Sequence, residues 1–220
     1  MEFTFRFEAN PASYRMVSAA PSAPTLLLFL FAFSLRANPA ESISAYSIFR
    51  SHDQGRSWSR SDAGLPRTSR VNAFVSSGPN IIAGTDAGIF ISSNRAGIWH
   101  KTSTLAAQSL RITSLATIKP STGLTNLVFA GTYQGDLLAS TDHGANWQRN
   151  LKFPVRNIRS LHALEGTLYV GTDSDRVYKS DDQGQSWTHL SAGLPALAQV
   201  FALTSVDGHL FAGLYAQGLY

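Results

Sequence analysis

The sequence predicts an all-β chain built from repeats, and three observations carry that prediction. One eight-residue pattern occurs four times, and each copy ends in a tryptophan. After each copy come short apolar runs separated by Gly, Asp and Asn turns, always in the same order. No stretch inside the repeats has the 3.6-residue apolar periodicity of an amphipathic helix.

The pattern reads Ser51-His52-Asp53-Gln54-Gly55-Arg56-Ser57-Trp58, returns as Ser140 to Trp147, and returns again as Ser180 to Trp187. A decayed copy runs from Ser92 to Trp99, with Asn94 and Ala96 where the others have Asp and Gly. These four copies hold every tryptophan of the chain, spaced 41, 48 and 40 residues apart. A period of roughly 40 to 50 residues signals a repeat architecture. The residue types specify a tight turn. Ser and Asp side chains accept hydrogen bonds from nearby backbone N–H groups and fold the chain back. Gly55, Gly144 and Gly184 supply a positive φ. The tryptophan then opens the next strand and buries a large apolar face against its own sheet.

Each repeat carries four short strands in order. The first is predicted at 71–75, 112–118, 158–164 and 200–204, and the second ends at Gly84, Gly131, Gly171 and Gly213. The third, at 88–91, 136–139, 176–179 and 218–220, feeds the turn pattern, and the Trp segment is the fourth. Ala63-Gly64-Leu65-Pro66 is echoed by Ala192-Gly193-Leu194-Pro195 at the same offset from Trp58 and Trp187, where Gly and Pro end a strand and cross to the next repeat. Four short strands per repeat with this turn chemistry are the pattern of a β-propeller blade. The expected architecture is an incomplete propeller of about four blades over 41–220, entered late in one blade and cut in the middle of another.

The pattern S-x-D-x-G-x-[S/T/N]-W resembles the Asp-box, or BNR repeat, of sialidase-type propellers, sortilin-like ectodomains, xyloglucanases and photosystem II assembly factors. The resemblance implies structural roles for Ser51, Asp53, Gly55 and Trp58, and for Ser140, Asp142, Gly144 and Trp147. It implies the same for Ser180, Asp182, Gly184 and Trp187, and in the weaker copy for Ser92, Asn94 and Trp99. In those families the box is a turn on the face away from the ligand site. Calcium is the competing reading, but one carboxylate per turn falls short of the six to eight oxygens it takes.

Residues 1–40 have a different character. Leu26–Leu35 reads LLLFLFAFSL, and small residues follow at Ala37 and Ala40. That is the length of a signal-peptide apolar core, with Met16 as an alternative start. The segment is expected to be a signal peptide or an uncleaved N-terminal anchor, so the chain is expected to be exported to the periplasm or the cell exterior. The whole chain is 44% hydrophobic and 15% charged, which is the composition of a folded domain. It has no cysteine, which excludes disulfides, thiolate metal sites and cysteine nucleophiles. A net charge of +4 with scattered arginines gives no nucleic-acid stripe. The six histidines show no metal-ligand spacing, and no phosphate-binding Gly-rich loop occurs, so no metal or cofactor is expected.

Because strands alternate in direction, the second-to-third turns and the crossings between repeats share the face opposite the boxes. Two residues after each strand-ending glycine stand Asp86, Tyr133, Asp173 and Tyr215, and the crossings carry Arg67, Arg70, Arg111, Arg156, Arg159 and Gln199. Arg70, Arg111 and Arg159 with Asp86, Tyr133, Asp173 and Tyr215 are the candidate ligand-binding set. Arginine forks pair with carboxylates, so a carboxylated or sulfated sugar is one conceivable occupant. No candidate catalytic residue emerges. The sialidase F/Y-R-I-P segment is absent, no acidic pair stands out, and Glu165 is the one glutamate within the repeats. The sequence therefore predicts a non-catalytic protein- or glycan-binding propeller. Two other readings stand beside it: a fragment of a sialidase- or xyloglucanase-like glycoside hydrolase, and a photosystem II assembly factor-like protein.

Overall fold

The computed structural model describes residues 47–104, 110–119, 126–150, 153–154, 157–216 and 218–220. Residues 1–40, expected to be a signal peptide or an N-terminal anchor, and Arg156 lie outside the residues it describes. Those residues form strands joined by turns, without a helix, and the four larger sheets are the blades of a β-propeller.

The chain enters through a two-stranded hairpin, β1 (Phe49–Arg50) with β2 (Ser59–Arg60). The first blade is β3 (Val71–Ser77), β4 (Asn80–Thr85), β5 (Gly88–Ser92) and β6 (His100–Lys101), paired in that order. A two-residue strand, β7 (Ser103–Thr104), leaves this blade. The second blade is β8 (Ile112–Ile118), β9 (Leu127–Thr132), β10 (Leu137–Ser140) and β11 (Asn146–Asn150), and β7 adds to its outer edge in parallel. The third is β12 (Ile158–Leu164), β13 (Thr167–Thr172), β14 (Val177–Ser180) and β15 (Thr188–Leu190). The fourth has β16 (Val200–Val206), β17 (His209–Leu214) and β18 (Gly218–Leu219). Several expected boundaries move by one or two residues: β3 and β16 run on to Ser77 and Val206, and β5, β10 and β14 run on to Ser92, Ser140 and Ser180. Asp136 and Arg176 precede their strands rather than starting them, and Arg176 has a left-handed backbone, φ 57°.

The sequence reading placed each tryptophan at the head of its fourth strand, packed on its own blade. Only Trp147 lies within a strand; elsewhere the strand begins one residue later. Trp99 packs on its own blade, with Val71, Ala83 and Phe90 and with Phe74 at 5.9 Å, and also meets Ile48 of the entry hairpin. Trp147 clusters with Val128, Ala130 and Leu138 of its own blade and reaches Ala73, Ile82 and Ile89 of the first, whereas Trp58 is exposed. In the second blade the turn itself lies against the preceding sheet, since a Cβ on Gly144 would overlap Ile82 of the first blade.

Consecutive blades pack first strand against first strand, β3 on β8, β8 on β12 and β12 on β16. Each first strand is shifted in register against its second by an irregularity one or two residues in: Val71/Ala73, Ile112/Ser114, Ile158/Ser160 and Val200/Ala202. A bulge of this kind increases local twist. It also lets the first residue of one blade lean into the blade before it. There, a strand glycine makes room. A Cβ on Gly84 would lie 2.5 Å from Ile112 Cγ2, Gly131 is filled in the same way by Ile158, and a Cβ on Gly171 would lie 2.7 Å from Val200 Cγ1. Side chains fasten the same seams. Asn72 Nδ2 donates to Ile112 O at 2.8 Å, Thr113 Oγ1 to Ile158 O at 2.7 Å, and Ser160 Oγ to Val200 O at 3.0 Å. Each blade junction therefore repeats one packing solution, and the turns at its two ends inherit a fixed spacing.

Candidate functional site

The two ends of the propeller differ in what their side chains do. At one end lie the Ser-Asp turns. In the first, Gly55 N donates to Ser51 Oγ at 2.7 Å, and Ser51 Oγ donates to Asp53 Oδ1 at 2.8 Å. Ser57 N donates to Asp53 Oδ1 at 2.8 Å, and Ser57 Oγ to Asp53 Oδ2 at 2.6 Å. The third and fourth copies repeat this network through Ser140, Asp142, Gly144 and Asn146, and through Ser180, Asp182, Gly184 and Ser186. Gly55, Gly144 and Gly184 hold φ between 86° and 88°, and the residue before each, Gln54, His143 or Gln183, holds φ between 58° and 61°. In the second copy Asn94 accepts as the aspartates do, and Ala96 tolerates φ 63°.

Both oxygens of each turn carboxylate are thus taken by protein donors. The Ser57 hydroxyl leads in lowering Asp53 to about 2, and the Ser186 hydroxyl does the same for Asp182. Partial burial pushes Asp142 upward, but Asn146 and Ser140 outweigh it and hold it below the ordinary carboxylate value. Among the described residues no group of three or more His, Asp or Glu side chains could hold a metal ion. The indoles vary. Trp58 and Trp147 donate to Gly55 O and Gly144 O, Trp99 reaches Ser61 O at 2.8 Å, and Trp187 Nε1 is buried without a hydrogen-bond partner among the described residues.

At the other end, one backbone hydrogen bond recurs in every blade. Asp86 N donates to Arg70 O at 3.0 Å, Tyr133 N to Arg111 O at 2.9 Å, Asp173 N to Asn157 O at 3.1 Å and Tyr215 N to Gln199 O at 3.0 Å. The residue two places after the strand-ending glycine is thereby pinned to the residue just before the first strand. This brings the side chains of three blades into one pile. Arg111 lies 5.0 Å from the ring centre of Tyr133, Arg159 lies 5.2 Å from it on the neighbouring blade, and Arg159 lies 4.8 Å from the ring centre of Phe201. Phe201 meets Tyr215 at 5.4 Å with the planes 30° apart. Two carboxylates flank the pile: Asp86 Oδ1 accepts from Arg111 Nε at 3.1 Å and from Asn72 Nδ2 at 2.8 Å, and Asp173 Oδ1 accepts from Arg159 Nε at 2.8 Å.

Six of the seven candidate residues thus stand in one connected array: Asp86, Arg111, Tyr133, Arg159, Asp173 and Tyr215. Arg70 enters through its carbonyl. Arg67 is elsewhere, lining a cavity of about 230 Å³ with Arg60, Asp62 and Leu65 near the entry hairpin. Phe201 and Asn72 escaped the sequence reading. Phe201 reads as one more strand apolar, and its only signal is its position, second in the first strand, which Arg159 occupies in the previous blade. A further cluster lies on the third blade. Tyr178 Oη donates to Asp175 Oδ2 at 2.5 Å, and His189 Nε2 lies 3.4 Å from Asp175 Oδ1. Burial, helped by that hydrogen bond and the Asp175 charge, pushes the Tyr178 phenol up to about 12.

No protein-family profile and no curated protein matches the chain. Solved structures do. An ancestral GH74 enzyme is similar at 20% identity and a TM-score of 0.62, over 86% of this chain and 26% of its own. YCF48 bound to D1 peptide is similar at 12% identity and 0.59, over 79% of this chain and 57% of its own. The extracellular domain of a putative one-component system from B. thetaiotaomicron is similar at 17% identity and 0.63, over 88% of this chain and 25% of its own. The chain therefore spans between a quarter and three fifths of these proteins, and at such identities the likeness is one of fold.

Proposed function

We propose that this chain is an exported BNR/Asp-box repeat propeller that works as a non-catalytic module, binding a protein or a glycan on the arginine–aromatic face. One observation carries the reading: Arg111, Tyr133, Arg159, Phe201 and Tyr215 stack continuously across three blades, with Tyr133 38% and Tyr215 63% exposed. Ring faces and guanidinium edges held on neighbouring rigid strands are a preorganised contact surface, which lowers the ordering cost of binding. The serine–aspartate networks at the opposite end support the Asp-box reading, because they use the residues of the motif to close turns. Extracellular domains among the structures similar to this chain, together with Leu26–Leu35, support export.

The chemistry of the face favours binding over hydrolysis. A glycosidase needs one carboxylic acid and one carboxylate flanking the scissile bond. Here Asp86 Oδ1 lies 3.1 Å from Arg111 Nε and Asp173 Oδ1 lies 2.8 Å from Arg159 Nε, so each carboxylate is engaged by an arginine and the two do not form an acid–base pair. Tyr178 stays protonated across the physiological range and is a poor nucleophile. The second reading, a piece of a glycoside hydrolase, draws on the GH74 enzymes among the similar structures. The third, a photosystem II assembly factor-like role, draws on the likeness to YCF48.

The test is a paired assay on the purified chain. Panels of oligosaccharides and peptides are screened for binding to the wild type and to Arg159→Ala, and the same oligosaccharides are incubated with the wild type and assayed for new reducing ends. Binding that Arg159→Ala removes, with no cleavage, is the expected result. Released reducing ends would establish the hydrolase instead. Retention of all binding by the variant would move the site off this face.

A further inference from the structure

The charge balance of the pile narrows what it can hold. Arg111 and Arg159 bring two positive charges, and Asp86 and Asp173 return two negative ones at 3.1 and 2.8 Å. Both acids are partly exposed, with 38% and 19% of their side-chain surface accessible. An incoming carboxylate or sulfate would meet the aspartates within the same few ångströms as the guanidiniums, so its net Coulomb gain is small. A sugar hydroxyl is different, because it both donates and accepts. A guanidinium beside a carboxylate offers donors and an acceptor side by side, the partner set of a vicinal diol.

The rings complete the argument. Tyr133 already meets two guanidinium groups, Arg111 at 5.0 Å and Arg159 at 5.2 Å from its ring centre, and is 38% exposed. Tyr215 is different, stacked on Phe201 yet 63% exposed. A broad exposed ring with a polar tip is a platform for the apolar C–H face of a pyranose. The Asp173–Arg159 pair lies two steps along the pile, first 5.4 Å to Phe201 and then 4.8 Å to Arg159. A ligand a few pyranose rings long therefore spans from one to the other.

We propose that this face binds an uncharged oligosaccharide, with one ring stacked on Tyr215 and the hydroxyls of a neighbouring ring held by the Asp173–Arg159 pair. The proposal rests on the reading of this face as the ligand site and specifies its ligand.

Calorimetric titrations would use neutral cellotetraose, xylotetraose and mannotetraose, with tetragalacturonate and sialyllactose as acidic counterparts and a peptide library as the third arm. The expected result is that a neutral tetrasaccharide binds and its affinity changes little between low and high salt, as befits an uncharged ligand. Tyr215→Ala should weaken it about tenfold, the loss of one stacking contact, while Tyr215→Trp keeps it. Circular dichroism of both variants establishes that the fold persists. If only acidic sugars or peptides bind, and Tyr215→Ala weakens them, the uncharged ligand is wrong and the binding face stands. If no probe binds, or if Tyr215→Ala leaves binding unchanged, both the ligand and the face are wrong.

Discussion

Gly171 and Gly213 occupy equivalent places in the third and fourth blades, two residues before the pinned positions Asp173 and Tyr215, and the structure predicts opposite outcomes when each is replaced by alanine. A methyl group on Gly171 would stand 2.7 Å from Val200 Cγ1 and 2.8 Å from the Val200 carbonyl oxygen, and it would overlap Ser160 Oγ. One of those neighbours is backbone of the next blade, so relief requires the blades to separate. Overpacking of this sort costs about 1–3 kcal/mol. Displacing Ser160 from its 3.0 Å bond to Val200 O adds about 1 kcal/mol. Against that, alanine in a strand regains about 0.5–1 kcal/mol of the entropy that glycine loses on folding. Gly171→Ala should therefore destabilise by about 1–3.5 kcal/mol. At Gly213 the nearest atom is Ala202 Cβ at 3.4 Å, an ordinary contact, so Gly213→Ala keeps only the gain, about 0.5–1 kcal/mol. Urea unfolding followed by tryptophan fluorescence reads both, through the midpoint at an unchanged slope. Equal effects of the two substitutions, or a neutral Gly171→Ala, would refute the claim that strand glycines seat the next blade.

Three more outcomes follow from the polar groups. Asp53 and Asp182 have carboxyl values lowered to about 2, so their turns contribute stability above the ordinary value of 3.8 and lose it as the pH falls through about 2; carboxyl chemical shifts in an NMR acid titration check this. His162, on β12, shares a 2.8 Å hydrogen bond with Ser205 on β16, and burial lowers its value below 6.5. Stability from the neutral ring is present above 6.5 and declines as the pH falls below it, so His162→Gln should flatten the dependence of the unfolding midpoint on pH in that range. Replacing Asp175 by Asn removes both the acceptor charge and its contribution to the raised Tyr178, so the spectrophotometric titration of that phenol should shift from about 12 toward its ordinary 10.

The repeat and its strand order were legible because turns are specified locally. Ser, Asp and Gly at fixed offsets close the same hydrogen bonds wherever they occur, and the strand between two such turns has little choice of length. The placement of Asp86, Tyr133, Asp173 and Tyr215 on one end follows from strand alternation alone, since each sits at the same offset from a glycine. The pile was not legible. Arg111 and Arg159 reach Tyr133 from different blades, and that depends on side-chain direction and on the rotation between sheets, neither of which a single strand encodes. Phe201 was hidden for a related reason, because a phenylalanine in a strand reads as core until its neighbours across the junction are known. The parallel pairing of β7 with β11 joins segments with three strands between them in the chain and carries no local signature.

The decayed second copy shows how the two ends of the propeller are held to different standards. Asn94 keeps the acceptor geometry of aspartate, with Ser92 Oγ donating at 2.8 Å and Ile98 N at 2.9 Å, so losing the charge leaves the turn closed. Ala96 in place of glycine is harder to accommodate, because a left-handed backbone costs an alanine about 1–2 kcal/mol. Its methyl group is fully buried beside Ile48 and Trp99, which returns about 0.8 kcal/mol. Ala96→Gly should therefore stabilise the chain by no more than about 1 kcal/mol, the difference between those two contributions, measured as a rise in the urea midpoint. A loss of stability would mean that the buried methyl, and not the backbone strain, dominates this turn. The turn end is thus constrained by backbone geometry, and a substitution there is tolerated only when packing compensates. At the opposite end the backbone hydrogen bond to residues 86, 133, 173 and 215 asks nothing of their side chains, which instead make the contacts of the pile: Asp86 with Arg111, Asp173 with Arg159, Tyr133 with both arginines and Tyr215 with Phe201.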